Sequence, residues 1–187
     1  MHGWVEKSIG IRYTQYTKLT FGAIVGEVMI GHVVELLVPH AKAEQFYGFM
    51  IAPCDQRYNT WWPDAHLHFH IKKNGKENHL GDTVFMDEYL DANHRLTFFA
   101  VVVTANRPNQ IKWQMKKGGI RLPAWVTLSL IDADEGIWLK HELRMGCSGA
   151  GKWLDPLIRM YFNASFEKAL EAHCQAEWFR LAEYLAM

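Results

Sequence analysis

Between residues 66 and 145 the chain reads as a succession of short β-branched and aromatic runs, HLHFHIKK, DTVFMDEYL, RLTFFAVVV, QIKWQMK, AWVTLSLID and GIWLKHELRM. They are separated by NG, DANH, NRPN, GG and DADEG. Connections this short join strands that run in opposite directions, because a parallel pair needs a crossover of roughly a dozen residues or more. The pattern therefore predicts an antiparallel meander. From about Gly151 to the end there is no Gly or Pro beyond Pro156, and apolar residues recur every three or four positions, which predicts one long helix.

Ahead of the meander, VGEVMIGHVVELLV reads as one strand, or as two with a break at Gly31, and ends at Pro39. HAKAEQFYGFM then sets Ala43, Phe46, Tyr47 and Met50 on one helical side, and Pro53 closes it. The order is strand, short helix or helices, six strands, long helix. It predicts an α+β fold, a curved antiparallel sheet of about seven strands whose concave face is covered by the final helix. The gap between sheet and helix is where a site is expected. A single domain is assigned to residues 21–187, and residues 1–20 form an N-terminal segment without a clear pattern.

Composition narrows the function classes. With 187 residues and 49% hydrophobic side chains the chain can bury a core, so global disorder is excluded. Lys plus Arg and Asp plus Glu both total 20, which gives no electrostatic reason to expect nucleic acid or an anionic membrane as partner. The apolar run Phe21–Val38 is interrupted by Glu27, His32 and Glu35, charges that are costly at bilayer depth, so it reads as strand. The opening MHGWVEKSIGIRY lacks the apolar stretch and cleavage site of a secretory signal. Cys54, Cys147 and Cys174 are odd in number and form no CxxC pair, which suits a reducing, cytoplasmic compartment. A 13% aromatic content with 8 Trp is compatible with an aromatic-lined pocket, and a homodimer is left open.

Two motifs carry chemistry. In HLHFH, strand alternation puts His66, His68 and His70 on one face and Leu67 and Phe69 on the other; that face is either a cluster of imidazole donors or simply the solvated side. In HCQAE, His173 and Glu177 are four apart on the final helix and share a sector of about 80° with Phe166, Leu170, Leu181 and Tyr184. An ionised carboxylate on such a core-facing stripe costs several kcal/mol unless it is paired or bound to a metal. A surface helical pair, or a glutamate satisfied by an arginine across the cavity, are the competing readings. Imidazole nitrogen with carboxylate oxygen suits zinc, and also iron, manganese or nickel. A further donor comes from DTVFMDEYL, where Glu88 shares a face with Val84 and Met86 while Asp87 points the other way; alternation does not say which face is concave.

At this point RYNTWWPDAH, residues 57 to 66, resembles the RYxxWxPxxH signature of the 2,4-diacetylphloroglucinol hydrolase (phloretin hydrolase-like) family. That family lies in the START-related, Bet v 1-like (SRPBCC, polyketide cyclase-like) helix-grip superfamily and also carries HxxxE on its last helix. The resemblance spans roughly residues 33 to 187. It implies a helix-grip fold with an internal cavity and a mononuclear zinc held by His66, Glu88, His173 and Glu177. It further implies that Tyr58 contacts a phenolic substrate, and that the reaction is hydrolytic cleavage of a carbon–carbon bond between a phenolic ring and an acyl group. The chain departs from the family in its compact start, in the HLHFH run and in a shorter spacing from His66 to Glu88. His68 and His70 are candidates for catalytic proton transfer or for contacts behind the ligands, and Arg57 for fixing an acidic or phenolate group. Trp61, Trp62 and Trp113 are candidates for the pocket wall, with plain packing as the alternative. Beside the zinc-dependent hydrolase stand a non-catalytic carrier of a small hydrophobic molecule and a metal site that only braces the fold.

Overall fold

The computed structural model describes residues 30–147, 156, 160 and 162–187. The expected N-terminal segment, the start of the first strand run and most of residues 148–161 lie outside the described residues. In chain order the elements are β1 (Ile30–Pro39), α1 (Ala43–Ile51), α2 (Asp55–Trp61), β2 (His66–Lys73), β3 (Thr83–Tyr89), β4 (Arg95–Asn106), β5 (Gln110–Lys117), β6 (Ile120–Ala133) and β7 (Gly136–Met145). The chain ends in α3 (Ala164–Ala186).

The seven strands form one antiparallel sheet in the order β1-β7-β6-β5-β4-β3-β2. β2 to β7 are the expected meander, and β1 closes onto the last of them, so α1 and α2 carry the chain from one edge of the sheet to the other. Asp132 of β6 accepts the Ala43 N–H at 2.9 Å, supplying the cap that Lys42 lacks at the start of α1. Gly136 opens β7 directly against β1, where an added Cβ would collide with the Val38 carbonyl, so only glycine admits that pairing.

The core lies between the sheet and the helices. Val38, Ile111, Leu128, Leu130 and Leu139 from the strands meet Phe46 of α1 and Trp178 and Leu181 of α3, all essentially excluded from solvent. α3 begins later than periodicity suggests. Asn163 accepts the N–H groups of Ser165 and Phe166 at 3.0 and 3.1 Å, an N-cap that ends the preceding chain and starts the helix at Ala164.

β2 departs from alternation. His66 pairs with Glu88 and His68 with Asp87, so two residues of β2 oppose one of β3 across a β-bulge. His66 and Phe69 consequently face the interior, while His68 and His70 face out. The expectation that three histidines share one face fails at this bulge.

Candidate metal centre

Four side chains from three elements meet in the interior: His66 of β2, Glu88 of β3, and His173 and Glu177 of α3. Each is at most 5% exposed, and one donor atom from each lies within 4.8 Å of all the others. The His66 Nε2 sits 3.9 Å from Glu88 Oε2 and 3.7 Å from Glu177 Oε1, and the His173 Nε2 sits 3.7 Å from Glu88 Oε2. The helix pair is one turn apart, and the strand pair is directly cross-strand, which is why sequence-distant residues converge.

The neighbours hold these groups in orientation. The His66 Nδ1 lies 3.3 Å from the Tyr58 carbonyl, so a proton on Nδ1 leaves Nε2 as the bare nitrogen facing the carboxylates. The Tyr58 ring stacks on the His66 imidazole at 3.9 Å between centroids and 3° between planes, and its hydroxyl donates a short hydrogen bond to Glu88 Oε2. Trp62 stacks on His173 at 4.7 Å, with the Arg180 guanidinium over the Trp62 ring at 4.5 Å. α2 is placed to do this because Asn59 Nδ2 donates to the His66 carbonyl and the His66 N–H returns to the Trp62 carbonyl, each at 2.8 Å.

Buried together, the four groups settle their charges against one another. Burial, and then the charge of Glu88, push the Glu177 carboxyl up to about 8, only partly opposed by His173. Burial also acts to raise Glu88, but His173, His66 and the Tyr58 hydroxyl outweigh it and hold Glu88 low. For His173 burial pulls the imidazole down, yet the two carboxylates prevail and raise it. His66, desolvated and next to His173, is lowered to about 4 although Glu88 opposes this. Without an ion these shifts favour an ionised Glu88 facing the raised His173 imidazole, a Glu177 carboxyl that keeps its proton up to about pH 8, and a His66 imidazole neutral above about pH 4. No arginine reaches Glu177 among the described residues; its ion-pair neighbour is His66.

The donors fit a divalent ion. The Nε2 atoms of both His66 and His173 are buried without a hydrogen-bond partner, an arrangement that costs energy unless something else occupies them. Two imidazole nitrogens and two carboxylate oxygens match the ligand preference of zinc, and two carboxylates balance its charge. Around tetrahedral zinc the donor atoms stand about 3.3 Å apart, so the observed spacings require each to draw in by roughly an ångström or less.

The remaining residues singled out in the sequence fall in different places. Trp113 lines an interior cavity of about 50 Å³ whose wall also includes Glu88, Glu177, Phe69, Met86 and Leu96. Trp61 is buried edge-on to His66 at 4.4 Å and packs toward Trp178. Arg57 lies on the exposed side of α2, donating to the Ala52 carbonyl, with its guanidinium 5.2 Å from the Phe49 ring centre. His68 and His70 gather instead around Asp55 on the outer face. Asp87, on the face of β3 opposite Glu88, is held by Arg95 and Thr97.

One cavity residue escaped the sequence reading. His141 lines the cavity, with its Nδ1 3.2 Å from the Cys174 Sγ, and burial lowers it to about 4. It shares a face of β7 with the buried Leu139 and Leu143, and that alternation was the available signal.

No protein-family model matches the sequence, and no curated protein matches it. Solved structures do resemble it in shape. The structure of Ara h 8.0201 aligns with a TM-score of 0.57 at 10% identity, over 84% of this chain and 98% of that one. Ginseng major latex-like protein 151 from Panax ginseng aligns at 0.52 with 11% identity, over 78% and 97%. The di-domain ARO/CYC StfQ from the steffimycin biosynthetic pathway aligns at 0.54 with 16% identity, over 84% of this chain and 50% of that one, so the chain spans half of StfQ. The curved seven-stranded antiparallel sheet with its C-terminal helix is a Bet v 1-like fold. Among the described residues no helix is long and apolar enough to cross a membrane.

Proposed function

We propose that the protein binds a small hydrophobic or phenolic molecule in a helix-grip pocket and holds a divalent metal, zinc by its donors, at the pocket wall. One observation carries the metal part: His66, Glu88, His173 and Glu177 are buried together, with the Nε2 atoms of both imidazoles left without hydrogen-bond partners. The binding part is supported by the largely apolar surround of the two carboxylates and by the fold shared with Ara h 8.0201 and the ARO/CYC protein StfQ. The interior space of about 50 Å³ holds a few water molecules. A ring enters by displacing them and shifting Leu96, Phe98, Met115 and Phe162, which line both this cavity and an outer groove.

A second reading, hydrolysis of the carbon–carbon bond between a phenolic ring and an acyl group, is favoured by Tyr58. Its hydroxyl is buried on a carboxylate of the cluster, where a phenol or enol oxygen of a ligand is within reach of the same network. When bound, zinc supplies Lewis acidity toward a carbonyl. The chain itself contributes the orientation of Glu88 by Tyr58, the apolar wall of Phe69, Met86 and Trp113 that seats the ring, and the neutral imidazole of His141, which takes a proton from the attacking water and returns it to the departing ring carbon.

Elemental analysis of untagged protein, followed by incubation with acylated phenols, tests both readings. Metal that is lost on H173A together with release of phenol and carboxylic acid supports hydrolysis. Binding without cleavage supports the carrier, and a metal content unaffected by H173A rejects the donor set.

A further inference from the structure

We infer that a second metal site, for a divalent transition ion such as zinc, nickel or copper(II), lies on the outer face of the sheet at Asp55, His68 and His70. The bulge that turns His66 inward leaves His68 and His70 two residues apart on the outward side of β2, with ring centres 6.3 Å apart. Asp55 reaches over from the first turn of α2. Its Oδ2 lies 3.2 Å from the His68 Nδ1, and its Oδ1 lies 2.7 Å from the His70 Nδ1. One donor atom from each of the three falls within 4.8 Å of the other two. The two nitrogen–oxygen separations, 3.2 and 2.7 Å, already lie within the donor–donor edge of about 3.3 Å found around tetrahedral zinc, whereas the buried cluster must contract.

The carboxylate is also fixed in place. The Phe69 N–H donates to Asp55 Oδ1 at 2.8 Å, so the acceptor is held between the two imidazoles by the strand backbone. The side chains of His68, Asp55 and His70 are 53%, 42% and 25% exposed, which leaves the open side of the trio to water. Two imidazoles and one carboxylate on one side with solvent on the other is a three-ligand arrangement with a free coordination position. In the metal-free chain protons on the two Nδ1 atoms bridge to Asp55; an ion takes their place and makes the same connections.

The position gives the site a consequence. Asp55 begins the helix that carries Tyr58 onto Glu88, and His68 follows His66 on β2. An ion here fastens α2 to β2 on the outside at the same two elements that build the buried cluster on the inside. This inference stands on the outer residues alone and does not require the inner donors to bind metal.

The test is zinc titration of metal-free wild-type protein followed by NMR of the histidine imidazoles, with His68 and His70 assigned from H68A and H70A. The two imidazole signals are expected to shift together and saturate at one equivalent beyond whatever the inner donors take up. In Asp55→Ala the dissociation constant read from whichever of them still moves should rise about tenfold or more. Signals of His68 and His70 that stay unmoved by excess zinc overturn the inference, as does an identical response in Asp55→Ala. Because the primary readout is made on wild-type protein, a variant that fails to fold does not decide the matter.

Discussion

Replacing Glu177 with Gln asks how the buried charge is balanced, and the expected answer has an unusual sign. In the metal-free chain the Glu177 carboxyl is raised from 4.5 to about 8. A carboxyl raised in the folded state contributes stability that is fully present below its unfolded value and is lost as pH climbs through the folded one. The window therefore runs from about pH 4.5 to about pH 8. Over the roughly 3.5 pH units of that window, at ~1.4 kcal/mol for each, the loss reaches about 5 kcal/mol when the site stays dry. Glutamine resembles the protonated acid in shape and cannot ionise, so E177Q escapes this loss. His173, raised by the carboxylates, pushes in the same direction, since its contribution is present below 6.5 and fades as pH rises through its folded value.

Urea unfolding in chelator at pH 5 and pH 8.5 reads the difference. Wild type and E177Q should agree within about 1 kcal/mol at the lower pH, and E177Q should be the more stable by several kcal/mol at the higher one. Saturating zinc should close most of that gap, because an ion held at a thousand times its dissociation constant stabilises the wild type by about 4 kcal/mol. If metal-free wild type equals or exceeds E177Q at pH 8.5, Glu177 is not a buried carboxyl lacking a counter-charge, and the reasoning fails.

Zinc uptake near pH 6.5 should release between one and two protons, from Glu177 and His173, and the apparent affinity should climb with pH until both are ionised or neutral; calorimetry in buffers of different ionisation enthalpy counts them. Tyr58→Phe should keep one inner equivalent of metal while weakening its affinity by roughly 10- to 100-fold, and should weaken the binding of phenols, which competitive fluorescence would show. Arg95→Ala should cost about 1–3 kcal/mol at pH 7 by leaving the Asp87 carboxylate short of donors. Arg95 and Thr97 hold Asp87 below its ordinary value, so that cost should vanish as pH falls through the lowered pKa in an acid-denaturation series.

The strands were legible because their turns are short and their side chains alternate, and β2, β3 and β7 begin and end within a residue of the runs read in the sequence. Alternation grouped Glu88 with Val84 and Met86, and that is the face of β3 that turns inward, a direction the strand's own pattern did not reveal. Asp87 is nearly as buried, yet for a different reason, its pairing with Arg95 across the opposite face. The bulge in β2 was not legible, because a two-against-one pairing is decided by the partner strand and by the pull of α2, neither of which marks the HLHFH run itself. The same blindness hid α2 as a separate helix. Only seven residues long and without a side-chain cap, it owes its position to Asn59, Asp55 and the stacked Tyr58 ring and not to helical periodicity.

Anomalous diffraction at the zinc edge from crystals of zinc-loaded protein tests the central claim most directly. The account predicts a peak about 2.0–2.2 Å from the His66 and His173 Nε2 atoms and from one oxygen each of Glu88 and Glu177. Loaded crystals with no anomalous density among those four side chains would contradict it.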